Sequence, residues 1–568
     1  MILVRQTSRT LRRRAYALLM VMVFTAVTLF ALGTALNWTS NQTVADERKG
    51  RFQRTQEAAS AATAKVAGTM IRDFQEEGVA AVSSRLESYR NLVPTQKEHR
   101  TWADFLFSDN RGGKERTCVR QLSAWDYGEI RSLAGEAEGW RALYNIESQA
   151  QERSHPQPTT AAVRQLVEIA AIPLFQFAVF YDHDLELNAS ERVAIEGRVH
   201  CNGNIYCQPA GRLEFMGPVS AAGTIQTTKH PQDPVVRGTA KVEFDDVRAE
   251  QVTSLSFALD ARQDSRGLRR ILDPASTSEL ARSDFARKSF FNRADLIVVF
   301  TDSGTRCYSG SYNKFSTTVP WSQVQPFLDD TSTMYDRREN RYALIRELDL
   351  SELEKRQSAL AAILGRRVSI LYVADQRTPS ASTFYALRVV KGGKLPATGF
   401  TLATPNPLYV KGDFNTGDPA LKSSQRKPAP ACLAADAITV LSEDWDDSDS
   451  WRSLSHREAK DTTINAAILT GIVPTRTGYY SGGLENVIRL LEDWEDQELN
   501  FRGSIAVLFA SQIARSPWGA SPYIYTQPDR KWDFKAGFDA VSALPPGTPE
   551  VMVVSPGTPQ LISLGNKL

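Results

Sequence analysis

Cysteine is scarce: five residues (118, 201, 207, 307 and 432) in a chain of 568 are too few for a disulfide framework, and their odd number leaves at least one unpaired. Excess charge of either sign is also missing. Lys and Arg number 67 against 65 Asp and Glu, with no basic stripe interleaved with aromatics, so the electrostatic footprint of a nucleic-acid binder is absent. No GxSxG, HExxH or P-loop occurs, and no GxGxxG follows a strand-like run. Acid pairs that would suit a polysaccharide hydrolase, Asp436 with Asp444 or Glu485 with Glu492, are readily picked from a chain with 65 acids, and the last two read as the exposed face of a helix. The sequence therefore offers no catalytic, cofactor-binding or metal-binding residues and predicts a non-enzymatic protein.

Long apolar runs are absent but for one. Residues 15–36, "AYALLMVMVFTAVTLFALGTAL", are 22 positions without a charge, long enough as a helix to cross a hydrocarbon core of roughly 30 Å. A cleaved signal peptide has a shorter apolar stretch, roughly 7 to 15 residues, which favours a retained anchor. Arg5, Arg9, Arg12, Arg13 and Arg14 precede the run with no acid among them, so the positive-inside rule places the basic head, 1–14, in the cytoplasm and the bulk of the chain beyond a bacterial inner membrane.

Beyond the span, 37–90 is Ala-rich, and Phe52, Ala59, Ala62, Val66, Met70 and Phe74 fall on one stripe, which predicts an amphipathic stalk helix. Residues 91–175 read as mixed helix and loop, with a helical pattern at 161–171. From 176 the character changes to short Val, Ile, Phe and Tyr runs between Gly, Asn and Pro, which is strand-and-turn chemistry. Region 176–400 carries predicted helices at 276–292 and 351–364, the second capped by Ser351. Region 401–568 carries one more, 479–496, expected to cover the β body.

Within 195–226, Gly-x-aliphatic recurs five times: Gly197-Arg-Val199, Gly203-Asn-Ile205, Gly211-Arg-Leu213, Gly217-Pro-Val219 and Gly223-Thr-Ile225. A glycine permits the positive φ of a tight corner, and the aliphatic residue two positions later points inward. Such units stack, which predicts a β-solenoid outer body, with an antiparallel meander as the competing reading. His200, Cys201 and Cys207 fall short of a zinc set, and neighbouring strand residues face opposite sides, which leaves either a Cys201–Cys207 bridge or unpaired thiols there. "YDHDLE" (181–186) reads as a turn ending a strand.

The basic head, single apolar helix and following "ERKGRFQRTQEAASAA" resemble the N-terminus of PilX-type minor pilins. "GRVHCNGNIYC", "NPLYVKGDFN", "TTINAAILTGIVPT" and "YYSGGLENVIRLLEDW" are similar to phrases in large exported proteins, mostly of unknown function, of type IV pilus-like assembly. The resemblance implies a structural or assembly component of a pilus-like or type II secretion-like system. Arg14-Ala15-Tyr16 stands where a prepilin carries Gly-Phe, and the span has no Glu. Ala31, Gly33, Thr34 and Ala35 supply small side chains for packing against pilin-like partner helices. The alternative reading is an envelope-anchored carbohydrate-binding or carbohydrate-active β-helix protein, with a glycan as partner.

Overall fold

The computed structural model describes residues 7–565 except 131–136, 154, 189–191, 236–237, 239–240, 258–264, 275–287, 311–316, 329–330, 423–424, 519–522, 535–537 and 539. The protein is mainly β with one long N-terminal helix. That helix, α1 (Thr7–Glu77), runs unbroken through the "NWTSNQT" stretch despite its poor helix formers. From Ala58 onward it lies on an antiparallel sheet. Ala59, Ala62, Val66, Met70 and Phe74 of the predicted stripe are fully buried, whereas Phe52 is exposed. Gly78 ends the helix with φ 84°, and two short helices, Val79–Ser84 and Leu86–Arg90, complete the expected stalk as a fold-back rather than an extension.

Residues 91–175, expected as helix and loop, are instead mostly this sheet. A hairpin of two long strands, Ala137–Glu152 and Thr160–Pro173, forms its centre, with Phe105–Ser108, Cys118–Gln121 and Asp126–Ile130 paired to the first strand and Glu550–Pro556 to the second. The helical pattern at 161–171 misleads because the strand is covered on both faces. Val167, Ile169 and Ala171 pack under α1, while Ala170 and Ile172 face the body on the other side. Two-sided burial erases the polar alternation that marks a strand.

The remainder, entered after Pro173 and left before Glu550, is built mostly from parallel ladders, with antiparallel pairs at Leu296–Thr301 with Gly304–Tyr308 and Thr331–Asp336 with Arg341–Asp349. In the first arm Leu185 opposes Ile205, Ile205 opposes Ile225, Val193 opposes Leu213 and Val199 opposes Val219, so the chain returns to each of three ladders after 20 residues. The chain then crosses to the far end and works back. Its last parallel strand in the main sheet, Ile505–Ala510, pairs with the first strand of the first arm, Phe177–Tyr181. One row of side chains therefore runs through both arms: Leu296, Leu371, Leu402, Leu433, Ile468, Ile505, Val179, Val199 and Val219, each opposite the next and each buried. A continuous aliphatic row removes far more apolar surface from water than any single strand pair, which is why short strands suffice.

The five predicted inward residues, Val199, Ile205, Leu213, Val219 and Ile225, are all buried in this core. The reason for their glycines is different from the expected one. Among the repeat glycines none has positive φ. They sit where successive circuits nearly touch: a Cβ on Gly217 would lie 2.7 Å from the carbonyl oxygen of Gly197, and one on Gly223 would lie 2.9 Å from that of Gly203.

The helix predicted over 351–364 is present as Leu350–Leu364, but Asp349 rather than Ser351 caps it, accepting from the amides of Ser351 and Glu352. The one predicted over 276–292 lies largely outside the described residues. Over 479–496 there is no long helix but a single 3₁₀ turn, Gly483–Asn486, and a strand, Ile488–Arg489. Gly482 and Gly483, at φ 80° and 61°, bend the chain, and burial of nearly every residue from 484 to 492 leaves no solvent face for an amphipathic helix.

Candidate functional site

Two features stand out from the folded core: the free half of α1 and a cleft where the strands of the second arm turn. From Tyr16 to Lys49 every residue of α1 is exposed, including Leu18, Leu19, Phe24, Phe30, Leu36 and Trp38. The helix is long and apolar enough to cross a membrane, and none of the described residues covers its most apolar stretch. Its hydroxyls are satisfied internally: Thr25, Thr28 and Thr34 donate to the carbonyls of Val21, Phe24 and Phe30 at 2.7, 2.8 and 3.0 Å. That removes the cost of taking them out of water. Ala31, Gly33, Thr34 and Ala35 lie on this free half, and a side chain on Gly33 would meet nothing within 4 Å. Where the helix enters the fold, Arg51 is fixed by Glu152, with its Nε 2.9 Å from Oε2.

Of the two cysteine readings, the structure has the unpaired thiols. All five cysteines are buried free thiols, and Cys201 and Cys207 lie in different ladders, Cys201 donating to the His183 carbonyl at 2.9 Å. Burial pushes both thiols up, away from the reactive thiolate. His200 faces the opposite side of its strand, 5.5 Å from the Phe180 ring, with Ser220 and Asn202 on its two nitrogens, and burial holds it down at about 4. It is a neutral core histidine.

The acids fare similarly. "YDHDLE" is a turn, as expected, and its acids stitch circuits together. Asp184 accepts from the Asn204 amide at 2.7 Å, and Asn204 in turn accepts from the Thr224 amide at 3.0 Å, again at intervals of 20 residues. Tyr181, His183 and Glu186 line a cavity of about 300 Å³ at the junction of the arms, and Tyr181 Oη, His183 Nε2 and Glu186 Oε2 are buried with no partner among the described residues. Asp436 is buried against Arg269, while Asp444 is half exposed beside Lys460, so the two form no acid pair. Glu492, expected on an exposed helix face, is fully buried and accepts from Ser442 through its amide and its hydroxyl, both at 2.7 Å.

Burial pushes the Glu492 carboxyl up to about 7. In the unfolded chain it ionises near pH ~4.3, so between these values the folded state holds the extra proton and stability falls as pH rises. Glu492→Gln is expected to unfold at higher urea than the wild type at pH 8, by on the order of 2 kcal/mol, and to match it at pH 4. Equal differences at the two pH values would rule this out.

The cleft has a volume of about 650 Å³. Arg341, Arg377, Arg476 and Arg515 line it with Asn406, Gln512 and two acids. Each acid is already engaged. Asp375 holds Arg377 bidentately, at 2.9 and 2.5 Å, and Glu339 pairs with Arg489 and accepts from the amides of Arg515 and Ser516 at 2.9 and 3.1 Å. Arg377, Arg341 and Arg476 lie over the rings of Tyr385, Phe384 and Tyr479 at 4.1, 4.9 and 4.9 Å. Arg476 and Arg515 are exposed and have no carboxylate partner among the described residues. No local signal marks this site. Its residues come from segments as far apart as Glu339 and Pro517, and "DRREN" (336–340) reads as an ordinary polar turn although Arg338 and Glu339 are buried.

No family model matches the chain, and no curated protein matches it. Among solved structures, the competence-associated pilin ComZ from Thermus thermophilus is similar over 89 % of this chain and 97 % of that one, at 10 % identity and a TM-score of 0.29, a likeness too slight to carry an argument.

Proposed function

We propose that this protein is a membrane-anchored, non-enzymatic component of a type IV pilus-like or type II secretion-like assembly, displaying a β-solenoid body beyond the inner membrane. The observation that carries the reading is the division of α1: an outer half seated on its own sheet and an inner half whose stretch to Leu36 is apolar on every side and covered by none of the described residues. A helix apolar all round needs lipid or other helices around it. The arginines of the head put that end in the cytoplasm. The solenoid reading rests on the 20-residue return and the nine-residue aliphatic row. The non-enzymatic reading rests on Asp436 and Glu492, the buried acids the sequence pairings drew on, being engaged in structural hydrogen bonds. PilX-type relationship is part of this proposal and rests on the sequence phrases alone.

The test is recovery of partners. Gly33→Leu should leave the protein in the membrane fraction but reduce co-purified pilin-like proteins roughly threefold, because the helices can no longer approach closely. Removing residues 1–46 should move the protein to the soluble fraction. Retention of the shortened chain in the membrane would overturn the anchor, and undiminished partner recovery with Gly33→Leu would overturn the packing role.

A further inference from the structure

We infer that the arginine cleft is a binding site for an acidic oligosaccharide carrying carboxylates, a ligand not implied by the assembly role. A volume of about 650 Å³ exceeds what an inorganic anion fills and falls within the roughly 300 to 1,000 Å³ typical of small-ligand sites. The cleft's cations outnumber its acids four to two, and both acids are committed to hydrogen bonds with protein groups. The exposed guanidinium groups of Arg476 and Arg515 thus remain to meet anions, and guanidinium geometry favours bidentate pairing with a carboxylate.

The other two arginines are held in place before any ligand arrives. Arg341 donates to the Ile513 carbonyl at 2.9 Å, and Arg377 is clamped by Asp375. Asn406 and Gln512 add amide groups at the wall, the kind of donor and acceptor that sugar hydroxyls need. A single-stranded nucleic acid would have to stack bases on aromatic faces. Here Tyr385, Phe384 and Tyr479 each already carry a guanidinium on the ring, which favours the glycan.

The test is calorimetric titration of the full chain in detergent with a galacturonate trisaccharide, with neutral maltotriose and an oligothymidylate as the other probes. The trisaccharide is expected to bind, maltotriose not to bind, and Arg476→Ala with Arg515→Ala to weaken the trisaccharide roughly tenfold or more. Both side chains are exposed and unpaired with acids among the described residues, so the double variant should unfold at the wild-type temperature, and Arg452→Ala, an exposed arginine outside the cleft, should bind as the wild type does. Absence of trisaccharide binding, equal binding by the double variant, or tighter binding of oligothymidylate that the same variant abolishes would each overturn the proposal.

Discussion

Asp436→Ala should lower the unfolding free energy by about 3–5 kcal/mol, measured as a shift of the urea midpoint at constant slope. Asp436 is completely buried, and its carboxylate accepts from Arg269 and from the amides of Gln512, Ile513 and Ala514 at 2.7, 3.0 and 2.9 Å. Truncation would leave the Arg269 guanidinium, buried beside Phe509, with Asp273 as its remaining carboxylate, and would remove the acceptor of three amides, that of Ala514 buried. The same segment, 512–516, forms one wall of the arginine cleft, so the loss would appear in ligand binding as well as in stability. Asp444→Ala removes an exposed pair with Lys460 and should stay within about 0.5 kcal/mol of the wild type. Comparable losses for the two variants would refute the structural role assigned to Asp436.

Gly217→Val should cost about 2–3 kcal/mol, as overpacked positions do. The obstacle is backbone: the new Cβ would stand 2.7 Å from the Gly197 oxygen and 2.8 Å from its carbon, and neither can swing aside as a side chain would. Relief requires moving neighbouring circuits apart, which weakens the ladder from Val199 to Val219. Gly68→Ala in α1 is the opposite control, since its Cβ meets nothing within 4 Å and alanine favours a helix by up to about 1 kcal/mol. A neutral Gly217→Val would mean the circuits are not in contact at this corner.

These two residues also show what sequence can and cannot convey. The glycine spacings of 6, 8, 6 and 6 contain the 20-residue return, since Gly197 and Gly217, like Gly203 and Gly223, are successive passes over one corner. The period was legible, but the role of the glycines was not, because close approach between circuits leaves no trace distinct from a turn. The stripe on α1 was legible for the usual reason that a helix burying one face must repeat its apolar residues. The strand at 160–173 and the turn at 483–486 were hidden by burial on all sides. Asp436 and the cleft were hidden further still, as their partners lie at 269, 339, 377 and 512–516 and no window of sequence contains them.

The way the body joins the sheet has a mechanical consequence. Its two connections leave from directly paired residues, Pro173 and Glu550, with the Leu174 amide bonded to the Pro549 carbonyl at 2.8 Å. A pull on the body toward a bound surface would load both strands in the same direction at the same point. Tension would then be shared along two neighbouring strands in shear against α1 and the rest of the sheet, with no force peeling one strand from the other. A join built this way divides any load on the body between two strands.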